Sequence, residues 1–301
     1  MHDADALPCS ACGAHVHARR TRCPHCGAPL GASGGASWTP QARPGPRGAG
    51  GGSPLVPIVL GLAALGVLAL VAAALRPRPR RVPPGPPPAL AGSILRPVFH
   101  TRSEGPIEAG TAFVVRVPGL ERNVLLTALH LLGPDGGMSR AVPAAEVSAE
   151  VEAVSLTDAF TGYGAFEAEE AILIPSASLA SNSTPGDVLA FWVARGEGSP
   201  LTLAPEAARV GQRVWLSAKL VDGSDTQLHP ARVVELAPGT FYYEYLGRGP
   251  ELQATSGAPV LDGAGEVVGI NLGGGVYEGK PFGMGNPIDN WRPALERALA
   301  R

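Results

Sequence analysis

The 301-residue chain carries 24 Lys and Arg against 26 Asp and Glu, a net charge of −2, and its length allows one large domain or several small ones. A balance so close to zero sets up no field of one sign, which argues against nucleic acid as a partner. Composition is uneven along the chain. All cysteines fall within residues 9–26, Gly and Pro crowd residues 31–54 and 76–92, and an ordinary globular composition begins near residue 93. A domain of that last size buries a full core without disulfides or metals.

From the N-terminus, Cys9-Ser-Ala-Cys12 and Cys23-Pro-His-Cys26 form two C-x2-C knuckles. The spacing lets both sulfurs of each knuckle face one ion, and four thiolates complete a tetrahedral zinc shell. Gly13 and Gly27 follow the knuckles and suit the turns beside them. A redox dithiol of thioredoxin type would need a βαβ setting, which the flanking sequence lacks. His15, His17 and His25 could also ligate, but Cys9, Cys12, Cys23 and Cys26 already fill the shell, so a structural rather than catalytic Zn2+ is expected. Within an expected zinc-ribbon unit of residues 1–30, about residues 8–30 resemble the short zinc ribbons at the N-termini of bacterial membrane-anchored proteins. Such a unit is either a docking element for a cytoplasmic protein or a small folded cap, and the sequence does not choose.

Residues 31–54 hold too few apolar side chains to offset ordering entropy and read as a flexible linker. Residues 55–75, LVPIVLGLAALGVLALVAAAL, contain no charge. At about 1.5 Å rise per residue the run spans a bilayer core of about 30 Å, so a single transmembrane helix is expected. A signal peptide would not stand so far from the N-terminus. Residues 76–92 form a Pro- and Arg-rich stalk. Arg76, Arg78, Arg80 and Arg81 favour a cytoplasmic C-terminal side, whereas zinc thiolates favour a reducing N-terminal side. The thiolates carry more weight. The expected topology is a single-pass protein of the bacterial inner membrane, with the ribbon cytoplasmic and residues 93–301 extracytoplasmic.

After the stalk, short apolar segments alternate with Gly, Pro, Asp and Asn. Strands are expected within 110–117, 123–132, 149–156, 170–175, 187–193, 212–220, 231–237, 240–246, 257–262, 265–272 and 281–287. Helical periodicity enters only at 289–301, where Trp291, Leu295 and Leu299 recur every four residues. This is the pattern of an all-β sandwich or barrel closed by one helix.

Three motifs sit within that pattern. His130 ends TALH after an apolar strand and GTAFVV precedes it; Asp187 opens DVLAFWV; Ser256 lies in ATSGAPVLDGAGEVVGIN. Together with the closing GMGNPIDNWRPAL, they resemble the chymotrypsin-like serine proteases, and within them the bacterial high-temperature-requirement type without a PDZ domain. The resemblance covers about residues 97–301. It implies a double six-stranded β-barrel with a C-terminal helix. By that resemblance Ser256 is the nucleophile, His130 its base, and Asp187 the group that orients the imidazole. The oxyanion hole would use the N–H groups of Ser256 and Ala254, where the family has glycine at the second position. Thr255 replaces the usual acidic or amide residue, which excludes activation through an ion pair with a freed N-terminus. The pocket walls would come from Pro250 to Leu252 and from Asn271, Leu272 and Gly273. With proline at 250, no acidic side chain favours a basic substrate residue, and a small or medium apolar one is expected.

The expected function is a membrane-anchored serine endopeptidase acting on peptide or protein substrates. The alternative is an inactive module of the same fold that binds peptides and is tethered to the ribbon. In a third reading the ribbon is the functional end and the β-domain senses ligands for it.

Overall fold

The computed structural model describes residues 6–8, 15–17, 85–178, 184–221, 225–247 and 252–300. Contacts divide the chain into two units, Met1–Pro77 and Arg78–Arg301. In the first, β1 (Ala6–Pro8) pairs antiparallel with β2 (His15–His17). Cys9, Cys12, Cys23, Cys26 and the apolar run 55–75 lie outside the described residues. Among the described residues no helix is long and apolar enough to cross a membrane.

The second unit is mostly β-structure. Its first half contains β3 (Ile94–Thr101), β4 (Gly105–Glu108), β5 (Ala112–Arg116), β6 (Asn123–Thr127), β7 (Val151–Asp158), β8 (Phe166–Ala168), β9 (Ala171–Ile172) and β10 (Leu189–Val193). A short helix, α1 (Val147–Glu150), leads into β7. Antiparallel pairing runs β8–β7–β3–β5–β6–β10–β9. Because β8 and β9 are consecutive, and Glu169 N–H donates to Trp192 O (2.7 Å) while Trp192 N–H donates to Glu170 O (2.9 Å), the sheet closes on itself. Closure removes the open edges that a flat sheet would expose.

The second half closes in the same way. β12 (Arg213–Ser217), β13 (Leu228–Ala237), β14 (Thr240–Tyr245), β17 (Lys280–Pro287), β16 (Glu266–Tyr277) and β15 (Pro259–Leu261) pair in that order, and β15 returns to β12. Between the halves, β11 (Leu201–Leu203) runs parallel to both β5 and β16 and ties the two rings into one sheet. Helix α2 (Ile288–Leu299) follows β17. The unit is thus mostly β, with closed sheets and few helices.

Local sequence explains the differences among strands. β13 alternates buried His229, Ala231 and Val233 with exposed neighbours, as a strand with one wet face must. By contrast, Ala112–Val115 and Asn123–Thr127 are buried throughout, so β5 and β6 read as continuous apolar runs. The helix buries Ile288, Trp291 and Leu295 in the same apolar cluster as Phe113, Leu126, Leu129 and Phe191 of the first half. Each large side chain so buried contributes about 1.5–3 kcal/mol.

Two expectations shift. The segment 123–132 is not one strand: β6 stops at Thr127, and Leu129–Leu132 coil into a 3-10 turn. Strand β3 was not anticipated, because Pro97 and Arg96 interrupt its apolar pattern. Pro97 falls between the residues that pair with β5 (Ile94, Leu95) and those that pair with β4 (from Val98). A residue without an N–H is tolerated at such a gap in the ladder.

Candidate active site

His130 stands in the 3-10 turn immediately after β6. Leu129, Leu131 and Leu132 are buried there, so apolar packing fixes the turn and leaves the imidazole facing outward, its side chain 17% exposed. His130 Nδ1 lies 2.6 Å from Asp187 Oδ2, and His130 N–H donates to Asp187 Oδ1 at 3.0 Å. One carboxylate therefore holds both the ring and its backbone. An ionised carboxylate only accepts, so the proton belongs on Nδ1 and Nε2 presents its lone pair. Burial pulls the His130 pKa down, but the Asp187 hydrogen bond and charge, with a smaller push from Asp135, outweigh it, and the net direction is up.

Asp187 follows a 3-10 turn, Thr184–Gly186, and precedes β10. Fully buried Asn286, on β17, donates Nδ2 to the carbonyls of Asp187 (3.2 Å) and Pro185 (3.4 Å). The second barrel thus sets the height of a carboxylate that serves a histidine on the first.

Ser256 sits on a turn between Leu252 and β15. Thr255 folds it locally, sending both its N–H (3.2 Å) and its hydroxyl (2.7 Å) to Leu252 O. The successive carbonyls of the turn are held from inside the molecule. Ala254 O accepts from Thr111 Oγ1 (2.8 Å) and Arg96 Nη1 (2.9 Å); Thr255 O accepts from Asn271 Nδ2 (2.9 Å); Ser256 O accepts from Thr111 N–H (2.8 Å). Asn271 is fully buried, and Tyr243 O–H donates to its Oδ1 at 2.6 Å, which fixes the amide with Nδ2 towards Thr255. Burial pushes the Tyr243 phenol well up, so it stays a donor.

Gly257 makes the approach of the two barrels possible. It has φ +86°, and a β-carbon there would come within 2.2 Å of Thr111 O and of Thr127 Oγ1 and 3.2 Å from Ala128 N. The serine turn therefore packs directly on the residues that lead to His130.

Ala254 adopts φ +60°, in the left-handed region where glycine is at ease and a β-carbon is strained. In a planar trans peptide the carbonyl of one residue and the N–H of the next point in opposite directions. With Thr255 O drawn to Asn271, Ser256 N–H points the other way. Neither the Ala254 nor the Ser256 N–H has a hydrogen-bond partner among the described residues. Two unengaged amides beside a hydroxyl can receive an oxyanion.

The Ser256 hydroxyl itself donates to Leu272 O at 3.2 Å, and not to His130. The hydroxyl must leave Leu272 O before its proton can pass to an imidazole. Hydrogen bonds of this kind are commonly loose in unliganded sites and tighten around a substrate.

Of the expected pocket walls, Pro250 lies outside the described residues. Leu252 packs on the core of the second barrel, and buried Asn271 braces the serine turn instead of lining a pocket. Arg96, Thr111 and Asn286 went unnoticed in the sequence. Single polar residues in apolar strands carry no mark that separates a brace from a solvated face.

No family model matches the chain, and no curated protein matches it. Among solved structures it is similar to the Rv3671c protease of M. tuberculosis in its active form, at 18% identity and TM-score 0.44 over 87% of this chain and 94% of that one. It is also similar to a serine endoprotease of Yersinia pestis, at 13% identity and TM-score 0.46 over 70% of this chain and 64% of that one. A third similar structure is the HtrA-type protease AlgW with a tripeptide, at 16% identity and TM-score 0.43 over 70% of this chain and 60% of that one.

Proposed function

We propose that residues 93–301 form a serine endopeptidase that cleaves peptide or protein substrates by acyl transfer. The observation that carries this reading is the two-point grip of Asp187 on His130, at 2.6 Å to Nδ1 and 3.0 Å from the backbone N–H. That grip fixes the imidazole with Nδ1 engaged, which supports a role for Nε2 as the base for Ser256. Ser256 would attack the scissile carbonyl, His130 would take its proton and pass it to the leaving amine, and Asp187 would stabilise the imidazolium. The N–H groups of Ala254 and Ser256 would receive the oxyanion. The fold is then the chymotrypsin-type double barrel.

The contact of the Ser256 hydroxyl with Leu272 O favours a second reading, in which the domain binds peptides without cleaving them. A fluorophosphonate probe on the purified full-length chain separates the two. Covalent labelling of wild type that is lost in Ser256→Ala supports the peptidase. A folded wild type that takes no label removes it and leaves the binding module.

The remaining parts of the proposal come from sequence. Cys9, Cys12, Cys23 and Cys26 form a donor set suited to one structural Zn2+, residues 55–75 anchor the chain in the bacterial inner membrane, and the peptidase lies on the extracytoplasmic face. The ribbon would dock a cytoplasmic protein. Elemental analysis showing no zinc in the intact chain would remove the metal from this picture.

A further inference from the structure

We propose that Asn271 is a positioning residue that keeps the Ser256 amide turned towards the reacting carbonyl, by fixing the peptide plane that Thr255 and Ser256 share. The inference rests on the peptidase reading above. Thr255 O and Ser256 N–H belong to one planar trans peptide, so any swing of that plane moves both. The bonds to Ala254 O and Ser256 O act on the peptides before and after it. The direction of the Ser256 N–H therefore depends on what holds Thr255 O. Two donors do: Asn271 Nδ2 at 2.9 Å and Ala258 N–H at 3.0 Å. Ala258 is part of the same turn, whereas Asn271 comes from β16. Its main chain is already tied to the turn, since Gly257 N–H donates to Asn271 O at 2.7 Å and Asn271 N–H donates to Ala258 O at 2.8 Å.

The amide does more than fill space, because it has a donor end and an acceptor end and both are used. Oδ1 accepts from Tyr243 O–H at 2.6 Å. Nδ2 faces Thr255 O and also lies 3.1 Å from Thr255 Oγ1, whose own hydrogen goes to Leu252 O. Only a donor fits opposite Thr255 O. An acceptor there would repel the carbonyl and attract the Ser256 N–H in its stead, and the peptide would turn over. Position 271 thus decides which end of the Thr255–Ser256 peptide faces the barrel and which faces the site. A carboxylate would reverse the choice, since its bond to the Ser256 N–H would be charge-assisted and roughly twice as strong as a neutral one. The groups facing the Asn271 side chain are Thr255 and the Tyr243 phenol, which burial keeps protonated. Among the described residues no charged side chain bonds to it.

Second-order rates of fluorophosphonate labelling on the full-length chain test this, with wild type, Asn271→Asp, Asn271→Ala and Tyr243→Phe compared across pH. A buried carboxyl titrates well above its ordinary range, so the one introduced by Asn271→Asp is neutral at about pH 6 and ionised at about pH 9. While neutral it still donates to Thr255 O, and labelling is expected within about fivefold of wild type. Once ionised it draws the Ser256 N–H inward, and the rate relative to wild type is expected to fall by about 10²–10³, the cost of a lost oxyanion donor. Asn271→Ala leaves Ala258 to hold Thr255 O and is expected to slow labelling by about 3- to 10-fold at every pH. Tyr243→Phe removes a buried bond without touching Thr255 O, so it should melt lower yet label within about twofold of wild type. If thermal unfolding shows that Asn271→Asp does not fold at the upper pH, the contrast between Asn271→Ala and Tyr243→Phe decides: a greater loss of rate in Asn271→Ala supports the role, and equal losses overturn it. In a folded Asn271→Asp, a ratio to wild type that stays flat with pH overturns the role of Asn271 alone. A folded wild type that takes no label overturns both the peptidase reading and this inference.

Discussion

Replacing Ala254 with glycine distinguishes a turn that is already set from one that is not. At φ +60° the alanine occupies the left-handed region, where a β-carbon costs about 1–2 kcal/mol. Glycine relieves that cost but returns about 0.4–1 kcal/mol through the greater freedom of the unfolded chain. Ala254→Gly should thus range from neutral to about 1.5 kcal/mol more stable, a Tm rise of no more than a few degrees for a domain of this size. Its effect on chemistry should be small. The Ala254 amide has no partner among the described residues, so glycine adds no donor, and the rate of fluorophosphonate labelling at Ser256 should change by less than about fivefold. Were the alanine amide turned away from the site, glycine would restore a donor worth about 10²–10³ in rate. Second-order labelling rates read by intact mass, alongside thermal melts, decide between these outcomes. An acceleration of about a hundredfold or more would refute the left-handed turn and everything built on it.

The raised pKa of His130 places the acid limb of kcat/KM above the ordinary histidine value of about 6.5. Stability carries the matching sign: the contribution from protonated His130 is fully present below the unfolded pKa and is lost as pH rises through the folded one. Asp187→Asn should move the His130 titration, followed by NMR of its ring protons, to lower pH; an unmoved titration would mean that Asp187 is not its partner. Asn271→Ala should be the more costly change for folding. It strands the Tyr243 hydroxyl in the core at about 1–3 kcal/mol, whereas Thr255 O keeps the Ala258 N–H, so urea unfolding should show a loss of about 1–3 kcal/mol. A loss under about 1 kcal/mol would show that the buried network does not brace the turn.

Much of this protein was legible from its residues alone, because it depended on local pattern. β-branched and aromatic runs at strand spacing indicated β-structure, and the recurrence of Trp291, Leu295 and Leu299 indicated the final helix, which spans Ile288–Leu299. The chain order and setting of His130, Asp187 and Ser256 made them candidates before any distance was known. What sequence could not supply were the contacts between residues far apart in the chain. Ala254 looked like a defect in isolation; only the folded chain brings Arg96, 158 residues earlier, onto its carbonyl. Nor could spacing show that Asn271 holds Thr255 from within the barrel, or that the Ser256 hydroxyl rests on Leu272 O. Period and propensity are properties of neighbours along the chain, whereas hydrogen-bond satisfaction inside a double barrel depends on which strands closure brings together.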